Sequence, residues 1–217
     1  MRPVLVIGNR NYSSWSLRPW IFLRHYGVDF DEIRLPLETA TFGERIAEFS
    51  PSRRVPVLIH GERRIWESLA ICEYAGDTFP GVRAWPSDPA ARAEARSVAC
   101  EMHAGFGALR REMPMNCRAR NRKVTPSDAA RLDIRRVIDI WQGARARFGR
   151  QGPWLFGEFG IADAMYAPVA VRFLTYGVAP RDRAGEWMHA VIDHPAMAEW
   201  AAAAREEPEV IEDEEVG

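Results

Sequence analysis

Short apolar segments alternate with amphipathic segments over the first eighty residues. Residues 4–8 form a compact β-branched run that ends in glycine, which is typical of a buried strand. Residues 30–37 predict a second strand, and residues 57–66 predict a β-hairpin that turns at Gly61. Apolar residues at helical spacing predict three helices, over 17–26, 42–49 and 69–78. The predicted order is βαβαββα, an α/β domain with a mixed four-stranded sheet and helices on both faces.

The pattern changes after a proline-rich connector near residue 80. From there on, the apolar spacing is helical only. It predicts helices over roughly 89–113, 125–148, 160–175, 183–192 and 195–205. We therefore expect the second half to be an all-helical domain. The predicted division is 1–80 for the α/β domain, 81–89 for a linker, 90–205 for the helical domain and 206–217 for an acidic tail.

The overall charge is balanced, with 29 Lys and Arg against 30 Asp and Glu. This balance favours neither a nucleic-acid binder nor a polybasic membrane binder. Residues 205–217 hold seven acids and one arginine, Arg205, and we expect the acidic tail over 206–217 to be disordered and solvated. No apolar run approaches the ~18–20 residues of a membrane span, and the start shows no signal-peptide pattern. The expected location is the cytoplasm.

The number and spacing of the cysteines bear on whether the chain has a disulfide framework or a cysteine-based zinc site. There are three of them, Cys72, Cys100 and Cys117, and no CxxC pair is present. An odd count without that spacing favours neither a disulfide framework nor a cysteine-based zinc site. We expect no bound metal.

Hydroxyl side chains cluster where the first predicted helix begins, in the segment Ser13-Ser14-Trp15-Ser16. A helix N-terminus offers unpaired N–H groups and a partial positive charge, which attract an anion. Ser13 and Ser16 have the spacing of the CxxC pair of a thioredoxin-like domain, so exchange through protein sulfur is excluded at this loop. A hydroxyl here can instead stabilise the thiolate of another molecule. The alternative is that the serines only cap the helix.

Two further segments carry groups that suit a peptide-like ligand. Pro56 immediately precedes a predicted strand, and we expect the peptide bond before it to be cis, which leaves the preceding backbone free to pair with a ligand. Glu67 and Ser68 stand at the start of the helix over 69–78. The Glu67 carboxylate can accept from an ammonium group, while the Ser68 hydroxyl and N–H can donate to a carboxylate. Together they suit the zwitterion of an amino acid.

In this order, the segments resemble those of a cytosolic glutathione transferase. The shared features are the serine-bearing helix start, Val-Pro before the third strand, Glu-Ser-Leu-Ala-Ile at the third helix, the proline-rich linker and the helical domain. The resemblance covers roughly residues 4–205. The serine segment is similar to the Ser-Ser-Cys-Ser signature of the zeta class, which includes maleylacetoacetate isomerases. Trp15 replaces the cysteine of that signature.

The resemblance implies roles for individual residues in binding glutathione. Ser13 is the hydroxyl expected to contact the glutathione sulfur, with Ser14 beside it. Val55 is expected to pair through its backbone with the cysteinyl unit. The remaining implied glutathione-binding residues are Arg54 and Pro56 near the ligand, and Glu67 and Ser68 at the γ-glutamyl end.

The resemblance also implies an activity. The enzyme would stabilise the thiolate of glutathione, its cosubstrate, and transfer it to a small hydrophobic electrophile in detoxification, as a homodimer. In this family the helix over 89–113 lines the electrophile cleft, and its residues at three- and four-residue spacing share a face. The cleft candidates are Tyr12, Trp15, Met102, His103, Phe106 and Arg110. For the residues of this helix, the alternative is ordinary packing against neighbouring helices.

Two other functions stay open at this point. One is a glutathione-dependent cis–trans isomerase of the maleylacetoacetate type, and the other is a non-catalytic binding protein that resembles glutathione transferases. Turnover of a generic aromatic electrophile separates the transferase from the binding protein. No residue of the sequence identifies the electrophile.

Residues 154–163 resemble the buried N-cap box of the family's helical domain. In that box a Ser or Thr caps the helix, and an Asp three residues later reaches back to it. Gly160 takes the cap position in this sequence, so only the Asp163 half of the pair remains. Glycine is an acceptable cap. We therefore expect a helix to begin here and Asp163 to be structural.

Overall fold

The computed structural model describes residues 1–217, and its first seven elements follow the predicted βαβαββα order. They are β1 (Val4–Ile7), α1 (Ser14–His25), β2 (Asp31–Arg34), α2 (Ala40–Phe49), β3 (Val57–His60), β4 (Arg63–Trp66) and α3 (Ser68–Thr78). The strands form one sheet in the order β2-β1-β3-β4. β1 runs parallel to β2 and antiparallel to β3, which pairs with β4 as the predicted hairpin. The mixed four-stranded sheet is confirmed.

Side chains of β1 divide between the two faces of the sheet. Leu5 and Ile7 belong to the large apolar core that also contains side chains of α1 and α3. Val6 points the other way and packs with Ile46 of α2. Strand side chains alternate with a period of two, so β1 is buried on both sides. Helices cover both faces, as predicted.

Six further helices make up the second half. They are α4 (Pro89–Ala104), α5 (Gly107–Glu112), α6 (Asp128–Phe148), α7 (Ile161–Tyr176), α8 (Asp182–Ile192) and α9 (Pro195–Arg205). α7 is buried at every position except Leu174 and Tyr176, and it packs against α1 and α4. This central helix therefore joins the two halves of the molecule. No helix of the structure is both long enough and apolar enough to span a membrane.

The helix predicted over 89–113 is interrupted, which separates α4 from α5. Phe106 adopts the left-handed backbone conformation, with φ +58°. A β-carbon on Gly105 would lie 2.7 Å from the carbonyl oxygen of Glu101, so glycine permits the close approach of the chain at this break. Residues on either side of the break therefore do not share one helical face.

Two of the predicted cleft residues lie in the core instead. Met102 is on the core-facing side of α4, and Phe106 is buried next to the break. The ring of Phe106 packs against Tyr166 of α7, with 6.3 Å between ring centroids. This corrects the expectation that Met102 and Phe106 line the cleft, because the interruption turns Phe106 inward.

α7 begins at the N-cap box expected from the sequence. The N–H of Gly160, its N-cap, donates to Oδ2 of Asp163 at 2.9 Å. Oδ1 of Asp163 accepts the N–H of Leu155 at 2.9 Å and the indole N–H of Trp187 at 2.7 Å. Burial raises the pKa of Asp163 to about 6, and the donated hydrogen bonds act in the opposite direction. Asp163 thus ties α7 to α8 and to the loop before it, in agreement with a structural role.

The acidic tail is packed against the rest of the chain, so the expectation of a disordered, solvated segment is wrong. Glu207 is 7% exposed. Arg34 donates from Nη2 to Oε1 of Glu209 at 2.9 Å, and Arg122 pairs with Glu215. Both halves of the chain supply positive charges that the composition of the tail alone does not reveal.

Two histidines meet where the two halves join. Nδ1 of His25 in α1 lies 2.9 Å from Nε2 of His194, the N-cap of α9. Nδ1 of His194 accepts the N–H of Ala196, so its proton is on Nε2 and is donated to His25. The His25 ring also stacks on Phe159. Burial lowers the pKa of His25 to about 4 and lowers the pKa of His194, so the pair is neutral at neutral pH.

We expect Asp163→Ala to lower the free energy of unfolding by about 3 kcal/mol, because the buried N–H donors around it lose their acceptor. The control is Asp139→Ala, which removes an exposed acid of α6 and should change the free energy of unfolding by less than about 0.5 kcal/mol. Urea denaturation of both variants measures the difference. Equal unfolding midpoints for Asp163→Ala and the wild type would contradict the structural role of Asp163.

The histidine pair predicts a loss of stability in mild acid. The folded pKa of His25 lies below the ~6.5 of an unfolded histidine, so the unfolded chain takes up a proton at a higher pH than the folded chain does. The free energy of unfolding therefore has its full value above about pH 6.5 and decreases as the pH falls towards about 4. His194→Asn keeps a side-chain acceptor at the N-cap and removes one titrating ring. Its urea midpoint should fall less than that of the wild type between about pH 7 and pH 5. If the urea midpoints of His194→Asn and the wild type depended on pH in the same way, the histidine pair would not control stability in acid.

Candidate functional site

Two buried asparagines hold the loop between β1 and α1. Oδ1 of Asn9 accepts the N–H of Leu37 at 2.7 Å, and Oδ1 of Asn11 accepts the N–H of Arg118 at 2.9 Å. Buried polar side chains need such partners, and these bonds connect the loop to both halves of the molecule. The start of α1 is therefore fixed in the cleft between the halves.

The serines at the start of α1 have different hydrogen bonds. The Ser13 hydroxyl donates to Oγ of Ser16 at 2.8 Å, and the oxygen of Ser13 accepts the N–H of Ser16 as the N-cap of α1. Oγ of Ser16 accepts the N–H of Gly8. Oγ of Ser14 accepts from Nη2 of Arg172 at 3.3 Å, and no acceptor in the chain takes the proton of its hydroxyl. Ser13 thus acts as a cap, whereas Ser14 keeps its donor free.

Two adjoining pockets, of about 550 and 380 Å³, open at this helix start. Both are lined by Trp15, Arg54, Val55 and Arg110. The first pocket is also lined by Tyr12, Ser13, Ser14, Leu37, Phe42, Arg53, Gly107, Arg111, Arg172 and Glu214. The second is also lined by Ser52, Pro56, Glu67, Ser68 and His103. A separate cavity of about 400 Å³, near Trp85, contains none of the predicted site residues.

The structure brings together all of the predicted site residues except Met102 and Phe106. Those that line the two pockets are Tyr12, Ser13, Ser14, Trp15, Arg54, Val55, Pro56, Glu67, Ser68, His103 and Arg110. The peptide bond between Val55 and Pro56 is cis, as predicted. The chemical roles of these residues stay predictions.

The ring of Trp15 packs against two guanidinium groups. Its ring centroid is 4.0 Å from Cζ of Arg18 and 4.5 Å from Cζ of Arg110. Arg18 is 1% exposed, and its Nε and Nη1 have no hydrogen-bond partner in the chain. Burial, together with the charges of Arg110 and Arg172, lowers the pKa of Arg18 to about 9. A buried cation without a partner favours an anion nearby.

A second buried guanidinium, that of Arg172, enters the site from α7. It donates to the carbonyl oxygens of Arg110 at 3.0 Å and Met113 at 2.6 Å, and to Oγ of Ser14. Burial lowers the pKa of Arg172 to about 10, and it lowers the pKa of Arg110 as well. Both groups remain cationic at neutral pH. The first pocket therefore combines a helix N-terminus with fixed positive charges, which suits a ligand that carries negative charge.

Glu67 and Ser68 lie at the other end of the site. Glu67 is the N-cap of α3 with φ +71°, and Ser68 is buried at the first helical position. Nε2 of His103 lies 3.7 Å from Oε2 of Glu67, and the His103 ring packs edge-on against Trp15. Burial and neighbouring arginine charges lower the pKa of His103, while Glu67 acts to raise it. No group of three or more His, Cys, Asp and Glu side chains is placed to hold a metal ion.

Sequence reasoning missed several of the residues that line the two pockets. Arg172 comes from α7, Glu214 from the tail and Arg53 from the loop before β3. One signal could have identified Arg172, because it and Asp163 are the two charged residues of the apolar helix α7. A lone charge on a buried helix needs a partner and often marks a site. Glu214 carries no such signal, since the tail is acidic throughout.

Comparison with family models gives two matches along the chain. The model described as glutathione S-transferase, N-terminal domain, matches residues 12–78. The model described as glutathione S-transferase, C-terminal domain, matches residues 117–203. The first range contains the start of α1 and the start of α3, and the second contains Arg172.

Curated proteins are similar over part of the chain. A probable maleylacetoacetate isomerase of Caenorhabditis elegans is 32% identical over 50% of this chain and 50% of its own length. The maleylacetoacetate isomerase of Rattus norvegicus is 32% identical over 50% of each chain. A probable glutathione S-transferase of Oryza sativa subsp. indica is 30% identical over 69% of this chain and 63% of its own. The matched segment thus spans about half the length of the two isomerases.

Solved structures share the fold over nearly the whole chain. A glutathione transferase homolog from Burkholderia with bound glutathione has a TM-score of 0.72 and 22% identity, and the match covers 95% of this chain and 100% of that one. A glutathione S-transferase from the Antarctic clam Laternula elliptica has a TM-score of 0.72 and 19% identity, with 95% of each chain covered. At these identities the likeness is one of fold.

The contact between Glu67 and His103 predicts how the pKa of His103 depends on Glu67. We expect His103 to titrate below the ordinary histidine value, and Glu67→Gln to lower its pKa further, because the substitution removes a negative charge 3.7 Å away. Ser68→Ala leaves that charge in place and is the control. An NMR titration of the imidazole nitrogens measures both. A His103 pKa that is the same in the wild type and in Glu67→Gln would contradict the contact.

Proposed function

The chain belongs to the glutathione S-transferase family, and we propose that it binds reduced glutathione, stabilises its thiolate and transfers it to a hydrophobic electrophile. One observation supports this proposal most directly. The free hydroxyl of Ser14, at the N-terminus of α1, faces a pocket that also contains the buried guanidinium of Arg172. A hydroxyl donor, a helix N-terminus and a fixed cation all favour a thiolate over a thiol.

The second pocket fits the peptide part of glutathione. The N–H and C=O of Val55 make no backbone hydrogen bond within the chain, and Val55 lines both pockets. It can therefore pair with the cysteinyl unit. The carboxylate of Glu67 can accept the γ-glutamyl ammonium, while the hydroxyl and N–H of Ser68 can donate to the γ-glutamyl carboxylate. Arg54 adds a positive charge near the remaining carboxylate.

In the proposed reaction the glutathione thiol loses its proton to water. The sulfur then forms a bond to the electrophilic carbon, and the leaving group departs with its bonding electrons. Arg172 donates to Oγ of Ser14, which polarises that hydroxyl and strengthens its donation to the thiolate. Trp15, Leu37 and Phe42 give the first pocket apolar surface for the electrophile.

Ser14 is our choice for the donor to sulfur, although the resemblance alone favours Ser13. Only a hydroxyl that faces the pocket with a free proton can donate to a thiolate. The geometry supports Ser14 by this criterion, because the proton of Ser13 is donated to Ser16. Ser13 then contributes by capping α1 and so keeping its N-terminus in place.

A second candidate function is a glutathione-dependent cis–trans isomerase. Two of the similar curated proteins bear the name maleylacetoacetate isomerase, which supports this candidate. Trp15 in place of the zeta-class cysteine counts against it. Product analysis with a maleyl-type diketo acid separates the two reactions, since isomerisation regenerates glutathione and conjugation consumes it. A protein that binds glutathione but turns over neither substrate would be a non-catalytic member of the family.

The location, assembly state and biological role of the enzyme are proposed from the same family resemblance. We propose a cytoplasmic homodimer that acts in detoxification. The domain division stays as the sequence predicts it, with the α/β part over 1–80, the linker over 81–89, the helical part over 90–205 and the tail over 206–217.

Titration of bound glutathione tests the assignment. Free thiols titrate near ~8.5, and Ser14→Ala should raise the pKa of bound glutathione by about one unit, because the thiolate loses a hydrogen-bond donor. Turnover at neutral pH should fall by up to about tenfold, with a smaller change in glutathione affinity. Ser13→Ala should leave the thiol pKa nearly unchanged and cost about 1 kcal/mol of stability as a lost cap. Thiolate absorbance against pH measures the pKa values.

Three other outcomes each have a meaning. A shift in Ser13→Ala without one in Ser14→Ala would return the assignment to Ser13. No shift in either variant would leave the helix N-terminus and the guanidinium groups as the stabilising elements. Absence of glutathione binding to the wild type would overturn the proposed function itself.

A further inference from the structure

The acidic tail is anchored at its start by a buried carboxylate. Oε1 of Glu207 accepts the N–H of Arg10 at 2.8 Å, and Oε2 accepts the N–H of Asn11 at 3.2 Å. Nη1 of Arg118 donates to the carbonyl oxygen of Glu207 at 2.7 Å. The tail therefore begins against the loop that leads into α1.

A second anchor lies close to the end of the tail. Oε1 of Glu215 accepts the hydroxyl of Tyr12 at 2.6 Å and the side-chain amide of Asn116 at 2.9 Å. The same carboxylate pairs with Arg122. Between the two anchors, the short 3-10 turn Glu212–Glu214 is held beside the first pocket.

Glu214 differs from the anchored glutamates of the tail. Its carboxylate accepts no hydrogen bond and has no ion-pair partner, whereas Glu207 and Glu215 have both. Glu214 is half-buried and lines the first pocket together with Ser14 and Arg172. Burial raises its pKa, and the charge of Arg172 acts to lower it. The chain thus places an unpaired acid in the wall of the pocket.

We propose that Glu214 is a specificity-determining residue, whose carboxylate disfavours anionic electrophiles relative to neutral ones. This inference rests on the transferase function proposed above. The guanidinium of Arg172 is held by two carbonyl oxygens and by Ser14, and the negative charge of Glu214 offsets part of its field. An anionic electrophile in the first pocket would meet that carboxylate. In a partly buried pocket, such a repulsion changes an equilibrium on the order of tenfold.

A pair of matched electrophiles tests the inference. We would measure kcat/KM at saturating glutathione for neutral 1-chloro-2,4-dinitrobenzene and anionic 4-chloro-3-nitrobenzoate, with the wild type, Glu214→Gln and Asp213→Asn. Glu214→Gln should raise the anionic-to-neutral ratio of kcat/KM by about tenfold. Asp213→Asn removes the same charge from an exposed neighbour on the same turn, and its ratio should stay within about twofold of the wild type.

The remaining outcomes separate this inference from the proposed function. Equal ratios in the wild type and Glu214→Gln, or equal changes in both variants, would overturn the specificity role. If the wild type turns over neither electrophile, the transferase proposal fails. The role of Glu214 is then decided by calorimetric titration with the unreactive anion 4-nitrobenzoate. About tenfold tighter binding to Glu214→Gln alone would support it, and equal affinities would overturn it.

Discussion

The packing of α7 against α1 holds the two halves of the molecule together and brings a buried charge to the start of α1. α7 is apolar on all sides, so it is stable only when it is surrounded. Its N-terminus is fixed by the hydrogen bonds of Asp163, and two turns later Arg172 reaches Ser14. One helix thereby forms the joint between the halves and adds a buried positive charge to the pocket.

Local pattern was sufficient to predict the sheet, most helices and the two ends of the site. β1, the hairpin over β3 and β4, and the cap box at Gly160 and Asp163 each depend on residues close together in sequence. The same holds for the Ser13–Ser16 segment and for Glu67 with Ser68, which occupy the N-termini of α1 and α3. Such features follow from periodicity and capping, which act over a few residues.

Contacts between distant segments could not be predicted in this way. Phe106 was expected on the cleft face of a continuous helix, but its ring packs against Tyr166 of α7, sixty residues later in the chain. The tail was expected to be solvated because its own composition holds no matching charge. Its partners, such as Arg34 and Arg118, precede it by many residues, so the match exists only in the folded chain.

The packed tail has a consequence for how the molecule is completed during its synthesis. Glu207 accepts N–H groups of Arg10 and Asn11, which precede it by 197 and 196 residues. The α/β half leaves the ribosome first and can fold first. The loop before Ser13 nevertheless keeps two unpaired N–H groups, and the first pocket lacks part of its wall, until residues 206–217 emerge. The binding site is therefore completed only when the tail is in place, and a chain terminated just after α9 would have its core but an open pocket.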